Sequence, residues 1–348
     1  MKIAVIGAGF SGCSIALKLS KYHEVTLYEK EKSILSGASA YNQMRFHQGY
    51  HYPRSQKTIN EIKKSKGSFL KFFGSNIFGK TKNYYAIAKK NTKTDPKKYE
   101  LFLKKNRLYF KILKKSKLFS KNISHSYLVK EEILNYFKFK KKIQKMIKLS
   151  NIKLRLNDSL NKKNLQKFDK IIVSCYSENN DVLRKLGVKN NNKFRYELIE
   201  KIIIELPKKY INKSFVVIDG KFVCCDPYVG TKFHLLSDVV NSKIEVVQGK
   251  YPKFKSKKKK FVNVQPKRHN RISLFRSFVD KSSMYLPFLK EAKYVKSMYT
   301  VRTIKIRKEK TDERTNFIRK LNNKIYVVLT GKWNTSVKVA DKFNDILK

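Results

Sequence analysis

Residues 1–30 read MKIAVIGAGFSGCSIALKLSKYHEVTLYEK, and their order decides the fold. Lys2–Gly7 is a short apolar run suited to a strand buried on both faces. Phe10–Lys21 carries its apolar residues at helical spacing, and Glu24–Glu29 alternates Val25 and Leu27 against Thr26 and Tyr28. The spacing therefore predicts a β-α-β unit. Between strand and helix, Gly7, Gly9 and Gly12 form G-x-G-x-x-G. The first glycine permits a tight turn, the second lets a pyrophosphate approach the backbone, and the third lets helix and strand pack closely. Amides around Phe10, Ser11 and Gly12 would face the phosphates with a favourable dipole. Glu29, closing the second strand, is placed to accept hydrogen bonds from adenosine ribose hydroxyls, which disfavours a 2′-phosphate there. Ala8 and Lys30 complete the candidate nucleotide contacts. A glycine-rich turn with an incidental glutamate is the bland alternative, and the flanking elements weigh against it.

Composition pulls another way. The 348-residue chain has a formal net charge of +54, which on its face suggests nucleic acid. Lysine is spread along the whole chain, however, whereas a dedicated nucleic-acid binder concentrates basic residues on one element or tail. Nonspecific polyanion binding at low salt is still expected from this charge. Hydrophobic residues make up 41%, enough for a buried core and against disorder. The length suggests about two domains. No apolar stretch approaches the roughly 20 residues of a membrane span, and the N-terminus does not resemble a secretion signal. The four cysteines show no CxxC spacing, so a reducing interior and no metal site are expected. A cytoplasmic location is the expectation, with peripheral attachment at a membrane surface left open.

Farther along, Ser55–Phe73 and Lys97–Lys114 have helical spacing around a strand-like YYAIA, and EEILNYFKFKKKIQKMIKL also reads as helical. NIKLRLN and DKIIVSC read as strands. From Tyr196 to about Thr303, short alternating strands separated by turn residues suggest an antiparallel sheet. KFKSKKKKF reads as a solvated loop. KIYVVLTG and SVKVADKFNDIL return to strand and helix. The fold class expected is α/β: a Rossmann-like dinucleotide-binding domain with a parallel sheet, discontinuous in sequence, and an inserted α+β substrate domain on an antiparallel sheet. The first is assigned residues 1–80, 125–185 and 312–348, and the second 81–124 and 186–311.

Three separated pieces carry a resemblance to a known family: the N-terminal fingerprint with Glu29; Ser39, Asn42, His47, Gly49, Tyr52 and Ser55 of the next loop; and the closing VVLTGKWNTSVKVADKF. Together they resemble the D-amino-acid-oxidase-type FAD-dependent oxidoreductases, and are most similar to the branch containing 2-hydroxyglutarate oxidases. The resemblance spans roughly residues 1–60, 125–180 and 315–348 and is thin in the antiparallel insertion. Two departures stand out: Cys175-Tyr176-Ser177 replaces a glycine-rich sequence, and Tyr299–Thr303 replaces the usual G-x-R-P.

The resemblance implies FAD as cofactor, with Ser174, Arg45, Gly331 and Lys332 joining its contacts. Reduced flavin gathers negative charge at its N1/O2 edge, and Lys332 with the following helix start would meet it. His47, with His51 next, would touch flavin or substrate and is the candidate base, since an unperturbed imidazole titrates near pH 6.5. Arg302 would clamp a substrate carboxylate. The implied reaction is hydride transfer from an amino acid, hydroxy acid or related amine to the flavin, with oxygen or an electron carrier as final acceptor. The alternatives are a non-redox flavoenzyme acting on an anionic, sugar-nucleotide-like substrate, and a basic nucleic-acid- or membrane-surface-binding protein on a nucleotide-binding scaffold.

Overall fold

The computed structural model describes residues 1–114, 116–220, 223–265, 267–268, 272–306 and 313–347. The first strand, Lys2–Ile6, pairs in parallel with Glu24–Glu29 on one side and Lys170–Val173 on the other. Lys153–Leu156 and Ile325–Leu329 extend the parallel sheet outward, and Phe317–Lys320 closes one edge antiparallel. The buried strands alternate between two apolar faces. Ile3, Val5, Val25, Leu27, Tyr326 and Val328 point to a core shared with helices Phe10–Leu19, Gln56–Phe73, Tyr136–Lys148 and Ser336–Ile346. Ala4, Ile6, Ile171, Val173, Ile325 and Val327 point to a second core with Leu183 and Leu186. Covering both faces is what a near-continuous apolar strand requires, and it makes this a three-layer α/β unit.

A second, nine-stranded sheet carries the long strands Phe194–Glu205 and Lys293–Lys305, which pair antiparallel along their whole length. This sheet is not purely antiparallel: Lys213–Val217 runs parallel to Lys82–Ala88. Ile123–Val129 also lies in it, paired with Lys82–Ala88, so residues 125–129, assigned above to the nucleotide domain, sit in the second sheet. The 311/312 boundary falls outside the described residues.

Two helical expectations are shortened. The helix from Pro96 stops at Lys105, where Asn106 caps it, and Phe110–Ile112 becomes a strand. Glu132–Leu134 is likewise a strand. The Asn135 side chain accepts from the Lys138 amide, so the helix starts only at Tyr136. Among the described residues no helix is long and apolar enough to cross a membrane.

Candidate functional site

The turn after the first strand has the geometry its glycines allow. Gly7 adopts φ +97°, a left-handed conformation that side chains disfavour. A Cβ on Gly12 would lie 1.7 Å from the Gly7 carbonyl oxygen, so only glycine lets this helix sit so close to its strand. A Cβ on Gly9 would come within 3.1 Å of Ser39 Oγ, which accepts the Phe10 amide at 3.1 Å.

Glu29 is 8% exposed, and its carboxylate is bound by two backbone amides, Ala8 N at 2.8 Å and Glu31 N at 3.0 Å. Burial raises its carboxyl above the usual range, against these two donors. Ala8 is therefore corrected as a cofactor contact. It is fully buried, and its amide orients Glu29.

One cavity of about 540 Å³ runs along this turn. Its near end is lined by Glu29, Lys30 and Ser174, its middle by Gly7, Gly9, Phe10 and Ser11, and its far end by His47, Gly331 and Lys332. Gly12 is not among the lining residues. It acts through packing alone. Lys30 pairs with Glu178 at 2.6 Å on the rim.

At the far end a Cβ on Gly331 would sit 1.8 Å from the Arg314 carbonyl oxygen. Asn316 Oδ1 accepts both the Gly331 amide and the Thr335 hydroxyl, which fixes the turn before the last helix. Asn334 Nδ2 donates to the His47 carbonyl at 2.9 Å, joining this turn to the RFHQGYHYPRS loop. Lys332 Nζ lies 4.7 Å from the centre of the Tyr52 ring, a cation–π contact.

His47 and His51 lie edge to face, 5.5 Å between ring centroids. Burial, reinforced by Lys332, pushes the His47 imidazole down to about 4, and burial with His47 beside it pushes His51 well below its ordinary value. Both rings are neutral near pH 7, so the expectation of a histidine base titrating near 6.5 is corrected by their desolvation.

Arg45 also lines the cavity. It is 2% exposed, and its guanidinium is bound by Glu131, Asp226 and Ser214, which fix it in the wall. Burial alone would raise the Glu131 carboxyl, but His47 and Arg45 hold it well below the carboxylate range. Arg302 lines the cavity, yet its Nε and Nη2 both bind the buried Glu197, the residue directly across the strand pair. It is a cation on the wall, held on one side by Glu197.

The sequence reading missed Lys201, Glu131 and Asp226. Lys201 lines the cavity from the strand Phe194–Glu205, and burial, then the charge of Arg302, lowers its ammonium to about 7. The signal was present: a lysine within the apolar run LIEKIIIEL.

The groove fits an extended dinucleotide. Its floor is a glycine turn with no room for side chains, a buried carboxylate is fixed at one end, and a second glycine turn followed by a helix start lies at the other. Comparison with known proteins agrees. Residues 2–128 match the family described as FAD dependent oxidoreductase (DAO). The match covers about a third of the chain and includes the glycine turn, Glu29 and the loop carrying His47.

The FAD-dependent monooxygenase kojA of Aspergillus flavus is 29% identical over 99 residues, 28% of this chain and 23% of that protein. The FAD-dependent monooxygenase FPY4 of Fusarium mangiferae is 38% identical over 71 residues, 20% of this chain and 18% of that one. The matched segment thus spans about a quarter or less of these relatives.

Solved structures match the whole fold. L-proline dehydrogenase from P. horikoshii gives a TM-score of 0.72 at 13% identity, covering 100% of this chain and 93% of that one. Glycine oxidase from Geobacillus kaustophilus gives 0.69 at 10%, covering 99% and 93%. L-alpha-glycerophosphate oxidase from Mycoplasma pneumoniae, a structure with FAD bound, gives 0.71 at 14%, covering 98% and 93%. The whole chain therefore shares the fold of these three proteins.

Proposed function

We propose that this protein is an FAD-dependent oxidoreductase that oxidises the carbon bearing the nitrogen or oxygen of an amino acid, hydroxy acid or related amine. The observation that carries the reading is the Ala8–Glu29 hydrogen bond, which fixes a ribose acceptor beside a glycine turn on the same continuous cavity as Lys332 and His47. Glu29 would hold the ribose, the Gly9–Ser11 backbone the pyrophosphate, and the Gly331–Lys332 turn the flavin end. Bound FAD would supply the hydride acceptor.

The chain's own residues do the rest. Lys332 and the helix start at Trp333 provide positive potential at that end. Neutral His47 and His51 offer hydrogen bonds without a competing cation. The wall formed by Lys201, Cys224 and Thr300–Arg302 encloses the substrate side. The finer assignment, to the 2-hydroxyglutarate-oxidase branch, rests on the loop Ser39–Ser55 and is part of this proposal.

The test is the visible spectrum of the purified protein under anaerobic conditions. An oxidised-flavin spectrum that bleaches on adding one of a panel of 2-hydroxy acids, amino acids or secondary amines is the expected result. A colourless protein that takes up no added FAD would sink the reading.

A further inference from the structure

We infer that Lys201 binds an acidic group of the substrate through its Nζ, within the cavity read above as the flavin and substrate site, and takes up a proton when that group arrives. Lys201 stands where its strand changes partner. Pairing with Lys243–Gly249 ends at Ile199, and pairing with Phe233–Asp238 begins at Ile202. Glu200 points away, buried against Ser273 and Ser297. Lys201 points into the cavity with Ile199.

Every other charged group nearby has its partner. Asp226, on the strand Val223–Pro227, is bound by Arg45 and Ser214. Asp238 accepts the amides of Val240 and Asn241. Glu197 is held between Arg195 and Arg302. Glu131 is held by Arg45 and Tyr85. Lys201 alone among these has no hydrogen bond or ion pair among the described residues.

An amine held inside a protein beside another cation is a site for an anion, because an anion offsets both the desolvation and the repulsion from Arg302. Lys201 titrates near 7 when the cavity holds only water, so a bound anion moves it to the charged form. The proton comes from solvent, and no covalent bond forms. Of the other groups lining the cavity, Arg45 is held charged by Asp226, Tyr85 and Glu131 against its burial. Burial holds the His47 imidazole down to about 4 and the His51 imidazole well below its ordinary value. Burial pushes the Cys224 thiol up to about 12.

A carboxylate and a phosphate monoester share the chemistry that Lys201 would recognise, so two probes separate them: benzoate and inorganic phosphate. Binding is measured by calorimetry in two buffers of different ionisation heat, with flavin absorbance followed on the same samples. One probe is expected to bind with a flat Kd below pH 6 that rises about tenfold per pH unit from 7 to 9, with proton uptake above pH 7. In Lys201→Met the pH step should vanish and affinity at pH 6 fall at least tenfold. Lys201→Arg should stay tight through pH 9.

The responding probe names the acid. Wild-type binding without proton uptake, or a step that survives in Lys201→Met, overturns the inference. Flavin retention is read separately. A yellow protein lacking the step loses the Lys201 assignment and keeps the oxidoreductase reading. A colourless protein showing the step does the reverse. If Lys201→Met fails to fold, the wild-type proton count and Lys201→Arg still decide.

Discussion

The Ala8 amide donates to Glu29 Oε2 at 2.8 Å, so the glycine turn and the end of the second strand are one rigid unit before any nucleotide arrives. The same carboxylate accepts the Glu31 amide with its other oxygen. Glu29→Ala removes both acceptors and leaves the buried Ala8 amide unpaired, a loss of about 1–3 kcal/mol. The expected outcome is a folded protein that loses FAD on gel filtration, measured as the ratio of flavin to protein absorbance. Glu29→Gln keeps a neutral acceptor and should retain part of the flavin. Full flavin content in Glu29→Ala would remove this residue from the site.

Two alanine substitutions test how different the glycines are. Gly12→Ala places a Cβ 1.7 Å from the Gly7 carbonyl, and backbone must move. Insoluble or flavin-free protein is expected. Gly67 lies inside the helix Gln56–Phe73 with nothing within 4 Å of an added methyl, so Gly67→Ala should stabilise by roughly 0.5–1 kcal/mol. Thermal melts of the pair settle it: equal shifts would mean the contact at Gly12 is not as tight as the geometry says.

What could be read from the sequence follows from range of interaction. The nucleotide unit was legible because its strand, turn, helix and acid all lie within thirty residues, each bound by local backbone rules. The closing turn at Gly331 was legible for the same reason. The partners of Arg45 and Arg302 were not legible because they come from afar: Glu131 and Asp226 for the one, and Glu197 across a strand pair for the other. An arginine in a polar loop carries no mark of whether its partner is a ligand or a carboxylate 181 residues away. Lys201, inside the apolar run LIEKIIIEL, carried a signal that was easily passed over in a chain with 80 lysines and arginines until the sheet placed it on a cavity wall.

The buried cluster around Arg45 predicts an asymmetric mutational response. Arg45→Met leaves Glu131 and Asp226 facing each other without their cation, and a broken buried pair typically costs about 3–5 kcal/mol. Urea midpoints should fall accordingly. Adding Glu131→Gln and Asp226→Asn to Arg45→Met removes the stranded charges and should recover much of the loss. A triple variant no more stable than Arg45→Met would show that the ion pairs are incidental to packing.

The lowered His47 gives a pH signature with a definite sign. In the unfolded chain an imidazole binds its proton near 6.5, and in the fold His47 does so only at about 4. Between those values the unfolded state holds more protons, so stability falls as pH drops from about 6.5 to 4. Full stability from this group is present above 6.5. His47→Gln, which cannot protonate, should flatten that part of the curve in the FAD-free protein, measured by melting temperature against pH. A parallel curve in the variant would assign the loss to other groups.

On the proposed reading, Lys332 would set the charge at the flavin end. Its ammonium is held over the Tyr52 ring, just before the last helix, on the wall of the cavity. A cation there favours a flavin carrying negative charge, so its removal should make reduction harder. A charge several ångströms away in a half-buried site is worth roughly 1–3 kcal/mol, which for a two-electron couple is a fall of about 20–60 mV. Redox titration of Lys332→Met against an indicator dye measures it, with Lys332→Arg expected to stay near the wild-type value. Because Tyr52 also loses its partner, the Arg variant separates charge from packing. If both variants shift alike, or neither shifts, the positive end of this cavity lies elsewhere.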